Sequence, residues 1–378
     1  MKSQPSRACA GKSVLRAWLV LIVLACTATA QPPAPRVPGI EDLLAVKQVG
    51  ATQISPDGTW IAYSVTEADL QQDAFVTQLW LARPSTGGVF QLTRGAKSSG
   101  GFRWSPDGRW LAFTSARAGD KNQVFAIRPD GGEAVQLTKS EGGVNDFAWS
   151  ADGRFIAFTA PDGTRIAFSA TLNPDLVQGA TADLYVLALG DDSVKQVVSQ
   201  AGPDTNPRWS PDGTQVAFVS AMGRPEHYHA NSRIAVVPSA GGTPRSLTDT
   251  FDESPNLVAW SADGAIYFSA LQKTAGHLFK LDPVTGRLVR VSAPDDLAGG
   301  SFSVTSDGRD VAYVATSPRS MAEVFAASRD AFPGRQLTSM TDQLKGWSIG
   351  TREVPAADDS HREVASPAPS RSGMSATT

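Results

Sequence analysis

The strongest constraint on this chain is that it repeats itself. A short turn sequence, clearest at Trp104-Ser105-Pro106-Asp107-Gly108, returns five more times. Reading for the serine and the Asp-Gly, the copies start at Ser55, Ser105, Ser150, Ser210, Ser261 and Ser306, with gaps of 50, 45, 60, 51 and 45 residues. Trp precedes the serine in four copies (Trp104, Trp149, Trp209, Trp260), while Ile54 precedes it in the first and Thr305 in the last. An apolar line follows each copy: Ile61-Ala62-Tyr63, Leu111-Ala112-Phe113, Ile156-Ala157-Phe158, Val216-Ala217-Phe218, Ile266-Tyr267-Phe268 and Val311-Ala312-Tyr313. Self-similarity at this period restricts the chain to a repeat architecture.

The chemistry of one unit says which. Pro presets φ for the second position of a tight turn, Asp tolerates the third, and Gly accepts the left-handed conformation that returns the chain. Large and small residues then alternate, as in Trp110, Ala112 and Thr114 against Leu111 and Phe113, which is the period of a strand. A second turn comes later in the unit, at Gly87-Gly88, Asp130-Gly131-Gly132, Gly241-Gly242 and Thr285-Gly286. A last short strand ends in Leu-Thr (Leu92-Thr93, Leu137-Thr138, Leu247-Thr248, Leu337-Thr338), degenerate at Val197-Val198 and Val291-Ser292. Each unit is therefore a four-stranded antiparallel meander of about 48 residues, the size of a propeller blade. The fold class read here is all-β: a β-propeller of six recognisable four-stranded blades, or seven if Ile40–Val46 and Trp347–Val354 assemble one more.

Around this ring the chain divides into segments. Residues 1–30 read as a secretory signal peptide: Lys2, Arg7, Lys12 and Arg16 lead, Ala17–Ala28 is apolar, and Ala28-Thr29-Ala30 fits the cleavage rule. Val23-Leu24-Ala25-Cys26 also resembles a lipobox, which would make Cys26 a lipid anchor in place of a soluble mature chain. Both cysteines, Cys9 and Cys26, lie in this leader, so the mature chain would hold no disulfide, thiolate metal site or nucleophilic Cys. Residues 31–50 are a Pro-rich linker and lead-in, in which Ile40–Val46 can form one helical turn or two, 51–340 the propeller, 341–354 a linker, and 355–378 an Ala, Ser and Pro tail read as disordered. Glu67–Ala74 reads as an exposed loop, and Ala170–Ala182 and Ala221–Ser232 as rim loops. The net charge of -3 gives no field that favours nucleic acid.

With these residues in view, the unit W-S-P-D-G…V-A-F…G-G…L-T resembles the propeller repeats of the prolyl oligopeptidase family, of the dipeptidyl- and acylaminoacyl-peptidase type. It is similar also to the repeats of the periplasmic protein TolB. The stretches Glu41-Asp42-Leu43-Leu44…Thr52-Gln53-Ile54-Ser55-Pro56-Asp57-Gly58 and Leu344-Lys345-Gly346-Trp347…Thr351-Arg352-Glu353-Val354 resemble the lead-in and lead-out of the peptidase propellers and favour that family over TolB. The resemblance implies a non-catalytic domain that covers the active site of an α/β-hydrolase and restricts access to short peptides. It covers about residues 40–354, and only 24 residues follow Val354. A truncated or frame-shifted reading is therefore expected, with no hydrolysis by the chain as it stands. The alternative is a stand-alone TolB-like periplasmic scaffold that binds proteins.

Other candidate sites weigh less. Gly346-Trp347-Ser348-Ile349-Gly350 matches the G-x-S-x-G nucleophile pattern, with Asp358 and His361 following in Ser, Asp, His order. That pattern needs a strand before it, a helix after it and a sheet to hold the triad, so it reads as a chance match in a linker. His227 and His229 would share one face of a strand, but His277 and His361 are remote and no third ligand accompanies them. Arg224, Glu226 and Glu253 sit in loops that could line a rim, without a motif to single one out. The repeat tryptophans read as core, not as a stacking surface. The residues two before each serine, Arg103, Ala148, Arg208, Ala259 and Val304, form no acid–base cluster. No catalytic, metal or cofactor-binding residue is therefore named. The partners expected are peptides or envelope proteins, with no nucleic acid and no membrane span.

Overall fold

Three turn serines build the same small cage. In a computed structural model, which describes residues 35–144, 147–149, 164–171, 181–292, 297–348 and 350, Ser55, Ser105 and Ser210 donate their hydroxyls to Asp57, Asp107 and Asp212 at 2.5, 2.6 and 2.6 Å. The same hydroxyls accept the backbone N–H of Trp60, Trp110 and Gln215, while the carboxylates accept those of Thr59, Arg109 and Thr214. Gly108 closes its turn at φ 68°, where a side chain would be strained. With the N–H groups of the tip paired, two strands can leave it antiparallel.

The sixth copy is set one residue earlier than the sequence reading placed it. Thr305, not Ser306, donates to Asp307 at 2.7 Å and accepts the N–H of Asp310 at 3.0 Å. Thr305 is buried, whereas Ser306 stands exposed in the slot that Pro56, Pro106 and Pro211 fill in other copies. The reason is spacing: the cage needs the hydroxyl two residues before the Asp, and only Thr305 has it.

The strands that leave these turns form six antiparallel sheets. Blade 1 holds β1 (Gln48–Ile54), β2 (Ile61–Asp69), β3 (Ala74–Ala82) and β4 (Val89–Gln91). Blade 2 holds β5 (Ser99–Trp104), β6 (Leu111–Ser115), β7 (Gln123–Ile127) and β8 (Val135–Gln136). Three strands of blade 3 are described: β9 (Arg165–Ala170), β10 (Asp183–Ala188) and β11 (Val194–Val198). Blade 4 holds β12 (Asp204–Trp209), β13 (Gln215–Ser220), β14 (Arg233–Pro238) and β15 (Arg245–Ser246). Blade 5 holds β16 (Asn256–Trp260), β17 (Ile266–Gln272), β18 (Ala275–Leu281) and β19 (Leu288–Arg290). Blade 6 holds β20 (Ala298–Val304), β21 (Asp310–Thr316), β22 (Glu323–Ser328) and β23 (Ala331–Gln336). The protein is a six-bladed β-propeller, as its repeats imply.

Three local readings change. The strand paired with β10 is Arg165–Ala170, and Ile156–Phe158 lies outside the described residues. Glu67–Asp69 continues β2 in a long hairpin with β3, Glu67 facing Val76, because Thr66 and Thr77 join their hydroxyls across it. Ile40–Leu44 forms the expected helical turn, α1, and Trp347 bridges Arg36, so among the described residues the ends build no seventh blade.

The Leu-Thr ending also has a physical role. The hydroxyls of Thr93, Thr138, Thr248 and Thr338 accept the N–H of Leu79, Val124, Ile234 and Val324 in the neighbouring strand. Ser292, read as degenerate from the sequence, does the same for Leu278. Apolar packing then joins blade to blade. Ala62, Leu79 and Leu81 of blade 1 pack with Phe102, Phe113 and Phe125 of blade 2, and Ile61 and Tyr63 pack with Ala312 and Val324 of blade 6. At about 1.5–3 kcal/mol for each large side chain fully buried, these seams hold most of the ring's stability.

Among the described residues no sheet mixes first and last strands, so the ring closes through packing and hydrogen bonds between blades 1 and 6. Thr52 N–H donates to Ser301 Oγ at 2.8 Å, Ile54 N–H to Ser303 Oγ at 3.0 Å, and Arg335 Nη1 to the Pro84 carbonyl at 3.0 Å.

Two predictions follow from this packing. Thr305→Ala should destabilise the chain by about 1–2 kcal/mol, because it strips partners from buried backbone groups, whereas Ser306→Ala should cost under about 0.5 kcal/mol. Urea unfolding of the two variants measures this, and a larger cost for Ser306→Ala would restore the later register. The second concerns Asp204, which is buried at the start of β12 with Oδ1 accepting from Gln200 at 2.8 Å and Oδ2 without a partner among the described residues. Burial raises its pKa to about 6, against the hydrogen bonds of Ser220 and Gln200 and with the help of the Asp183 charge. A carboxyl whose pKa rises on folding loses stability as pH climbs from about 4 through about 6. Asp204→Asn should therefore stabilise the protein near pH 7.5 by about 1–3 kcal/mol and leave it unchanged near pH 4. Thermal melts at both pH values test this, and equal shifts at both would refute it.

Candidate functional site

The innermost strand of every blade lines a central channel, a cavity of about 930 Å³. Gln53, Arg103, Ala148, Arg208, Ala259 and Ser303, each two residues before its turn hydroxyl, stand on the wall. The sixth position is Ser303 and not Val304, a consequence of the earlier turn register. β1, β5, β12 and β20 each carry a register shift here, and at three of these bulges Gly101, Asn206 and Ser301 take left-handed φ of 53°, 56° and 47°. The bulge lets side chains reach sideways as well as inward: Asn206 Nδ2 donates to the Leu257 carbonyl of the next blade at 2.9 Å.

Tryptophan performs the same linking task. Trp104 Nε1 donates to the Gln53 carbonyl at 3.0 Å, and Trp149 Nε1 to the Arg103 carbonyl at 3.1 Å. Trp104 is buried, yet Trp104, Trp149 and Trp209 also form part of the wall, so they are core and lining at once. The described lining contains no Asp, Glu, His or Cys, and among the described residues no three such groups come together. What the wall presents is hydrogen-bonding capacity, in guanidinium, amide and hydroxyl groups. Its volume falls in the range of ligand sites.

The two faces of the ring differ. Because the strands alternate in direction, the β1–β2 and β3–β4 turns of every blade lie on one side, the turn face. The β2–β3 loops and the links between blades lie on the other, the loop face. β1 begins and β23 ends on the loop face, so both ends of the ring lead out there, and the structure clasps them together. Arg36 N–H donates to the Gly346 carbonyl at 2.9 Å, Ser348 N–H donates to the Arg36 carbonyl at 2.7 Å, and Lys47 N–H donates to Gln343 Oε1 at 2.9 Å. The Arg36 guanidinium grips Asp42 with two hydrogen bonds and holds its pKa down at about 2. Four large apolar side chains on this face, Leu70, Phe75, Tyr228 and Leu271, are 60–72% exposed.

The residues singled out in the sequence scatter. Ser348 contributes its backbone to the clasp, while Asp358 and His361 lie outside the described residues, as do the whole leader and residues 172–180 of the first rim loop. His227 and His229 belong to a 3-10 turn, not to a strand. His277 is buried in blade 5 with Nδ1 3.0 Å from Ser292 Oγ, part of the strand lock. Arg224 and Glu226 are exposed in the loop, and Glu253 is half-buried. Sequence reasoning missed Gln53 and Ser303 in the channel, and Arg117 on the loop face, which no motif marks. No helix among the described residues is long and apolar enough to cross a membrane.

Comparison with known proteins agrees with this geometry. No protein-family model matches the chain. It is 28% identical over 153 residues to dipeptidyl-peptidase 5 of Porphyromonas gingivalis, covering 39% of this chain and 22% of that protein. It is 32% identical over 212 residues to the peptidase YuxL of Bacillus subtilis, covering 48% and 31%. The chain thus spans less than a third of the length of either relative. Among solved structures, the acylaminoacyl peptidase of Pyrococcus horikoshii superimposes with a TM-score of 0.62 at 13% identity, over 79% of this chain and 54% of that one, which shows a shared fold. The chain is a six-bladed propeller whose curated relatives are dipeptidyl peptidases and related peptidases.

Proposed function

We propose that this chain is the propeller part of a secreted serine peptidase of the prolyl oligopeptidase type, and that its loop face seats the catalytic domain and controls which peptides reach it. The observation that carries this reading is the convergence on one face of both leads of the ring and of the exposed side chains Leu70, Phe75, Tyr228 and Leu271. A domain joined through the clasp would lie against that face and remove those side chains from water, worth about 25 cal/mol for each Å² of apolar area. The peptidase relatives supply the chemistry of that domain, and the channel supplies a route towards it. Residues 1–30 act as the signal peptide that exports the protein.

The direct test is to translate all frames of the gene beyond codon 354 and express the propeller with whatever hydrolase sequence is found there. A fragment with its own G-x-S-x-G-G, Asp and His that restores peptide hydrolysis supports the reading. A stop with no such sequence in any frame overturns it in favour of a protein-binding scaffold. The propeller alone is expected to cleave no dipeptidyl or acylaminoacyl substrate, and to self-associate on a sizing column. Leu70→Ser with Leu271→Ser should shift it towards monomer, and a wild-type chain that elutes as a monodisperse monomer contradicts an uncovered face. Expression with the leader in a Gram-negative host should yield a periplasmic product that begins at Gln31, as read by mass spectrometry. Full-length product confined to the cytoplasm would refute export.

A further inference from the structure

Arg117 is a guanidinium the propeller holds in place without a counter-charge. It follows β6 on the loop face, and its side chain lies against two rings of the blade 2 core. Its Cζ is 4.8 Å from the Phe113 centroid and 5.4 Å from that of Phe125, and the two rings stack at 5.9 Å. Nη2 donates to Ser99 Oγ at 2.9 Å, and Nε approaches Ser115 Oγ at 3.5 Å; both serines are buried. No carboxylate pairs with Arg117 among the described residues, and burial alone pulls its pKa down. Half-burying a cation on neutral partners is unfavourable, and an anion that arrives later recovers the difference.

The fold does not require this charge. In blade 4 the residue at the same distance from its turn serine is Met222, which packs on the cluster around Phe218 just as Arg117 packs on Phe113. A thioether is enough to cap such a cluster. What the guanidinium adds is a planar fork of five N–H donors, already oriented by an aromatic platform and a hydroxyl. None of its atoms is both buried and unpaired, so the donors not engaged by Ser99 and Ser115 face solvent on the loop face. A single fork of this kind matches a carboxylate, which it can bind through two parallel hydrogen bonds.

We propose that Arg117 binds the carboxylate of a short peptide held between the loop face and the catalytic domain, and so favours peptides with a free C-terminus. The assignment rests on the reading of the loop face as the side that handles peptides. Arg117 is here a specificity residue that touches substrate remote from the reacting bond. Its preformed position limits the entropy lost on binding.

The test uses the full chain and one tripeptide, Ala-Ala-Phe, as free acid and as C-terminal amide, with binding followed by the side-chain NMR signals of the arginines and by titration calorimetry. The wild type should bind the acid about tenfold more tightly than the amide. Arg117→Met, which copies Met222 and should melt like wild type, should bring that ratio close to one, and Arg117→Lys should keep part of it. Arg109→Met, on the exposed tip of the turn face, should leave the ratio unchanged. Equal affinity for acid and amide, or a preference that survives Arg117→Met, removes Arg117 from the peptide site while the peptidase reading stands. Failure of both peptides to bind overturns the assignment as well, and the peptidase reading is then decided by the recovery of a hydrolase domain.

Discussion

A hydroxyl hydrogen-bonded to a carboxylate two residues along is the contact on which the ring depends. It ends the innermost strand, pairs the backbone N–H groups of the tip and starts the second strand, all with one side-chain pair. Its effect on the acid is visible: the hydroxyls of Ser105, Ser210 and Thr305 are the largest cause holding Asp107, Asp212 and Asp307 below the usual carboxylate range. The net worth of one such bond is only about 1 kcal/mol, but its position sets register. A hydroxyl moved by one residue would turn every channel-facing side chain of its strand to the opposite side.

That dependence explains what could be read from the residues and what could not. The blades were legible because each carries its own turn chemistry and its own alternation of large and small side chains. The sixth turn was misplaced because Ser306 looks more like its counterparts than Thr305 does, although threonine has the same hydroxyl and only its spacing to Asp307 fits the cage. Ser292 looks like a degraded ending for the same reason in reverse, since the lock needs a hydroxyl and not a particular residue. The hairpin beyond Thr66 was missed because Glu67 and Asp69 have poor strand propensity, and cross-strand pairing overrode it. The channel wall could not be assembled by reading along the chain at all, for its six positions are brought level only by closing the ring. Arg117 carried no signal of any kind in one sequence, since its meaning lies in the two rings beneath it.

The turn face and the loop face divide the work of the molecule. On the turn face polar groups are used up internally, as where Asp263 receives Lys280 of its own blade and Arg329 from across the seam of blades 5 and 6. The loop face bears the longer hairpins, the clasp, the exposed apolar side chains and Arg117. A structure that repeats six times thus becomes one-sided through the loops it inserts between strands that stay alike.

The seam between blades 1 and 6 sets this ring apart from one tied by a shared strand. Thr52 and Ser301 meet across 249 residues, but all other blades are made of neighbours in the chain. The entropy of closing so long a loop grows only with the logarithm of its length, so one late, modest step completes a fold otherwise assembled from local hairpins. Each junction has its own hydrogen bonds, Trp104 to Gln53 between blades 2 and 1 and Asn206 to Leu257 between blades 4 and 5, so a ring of like blades is held by seams that are not alike.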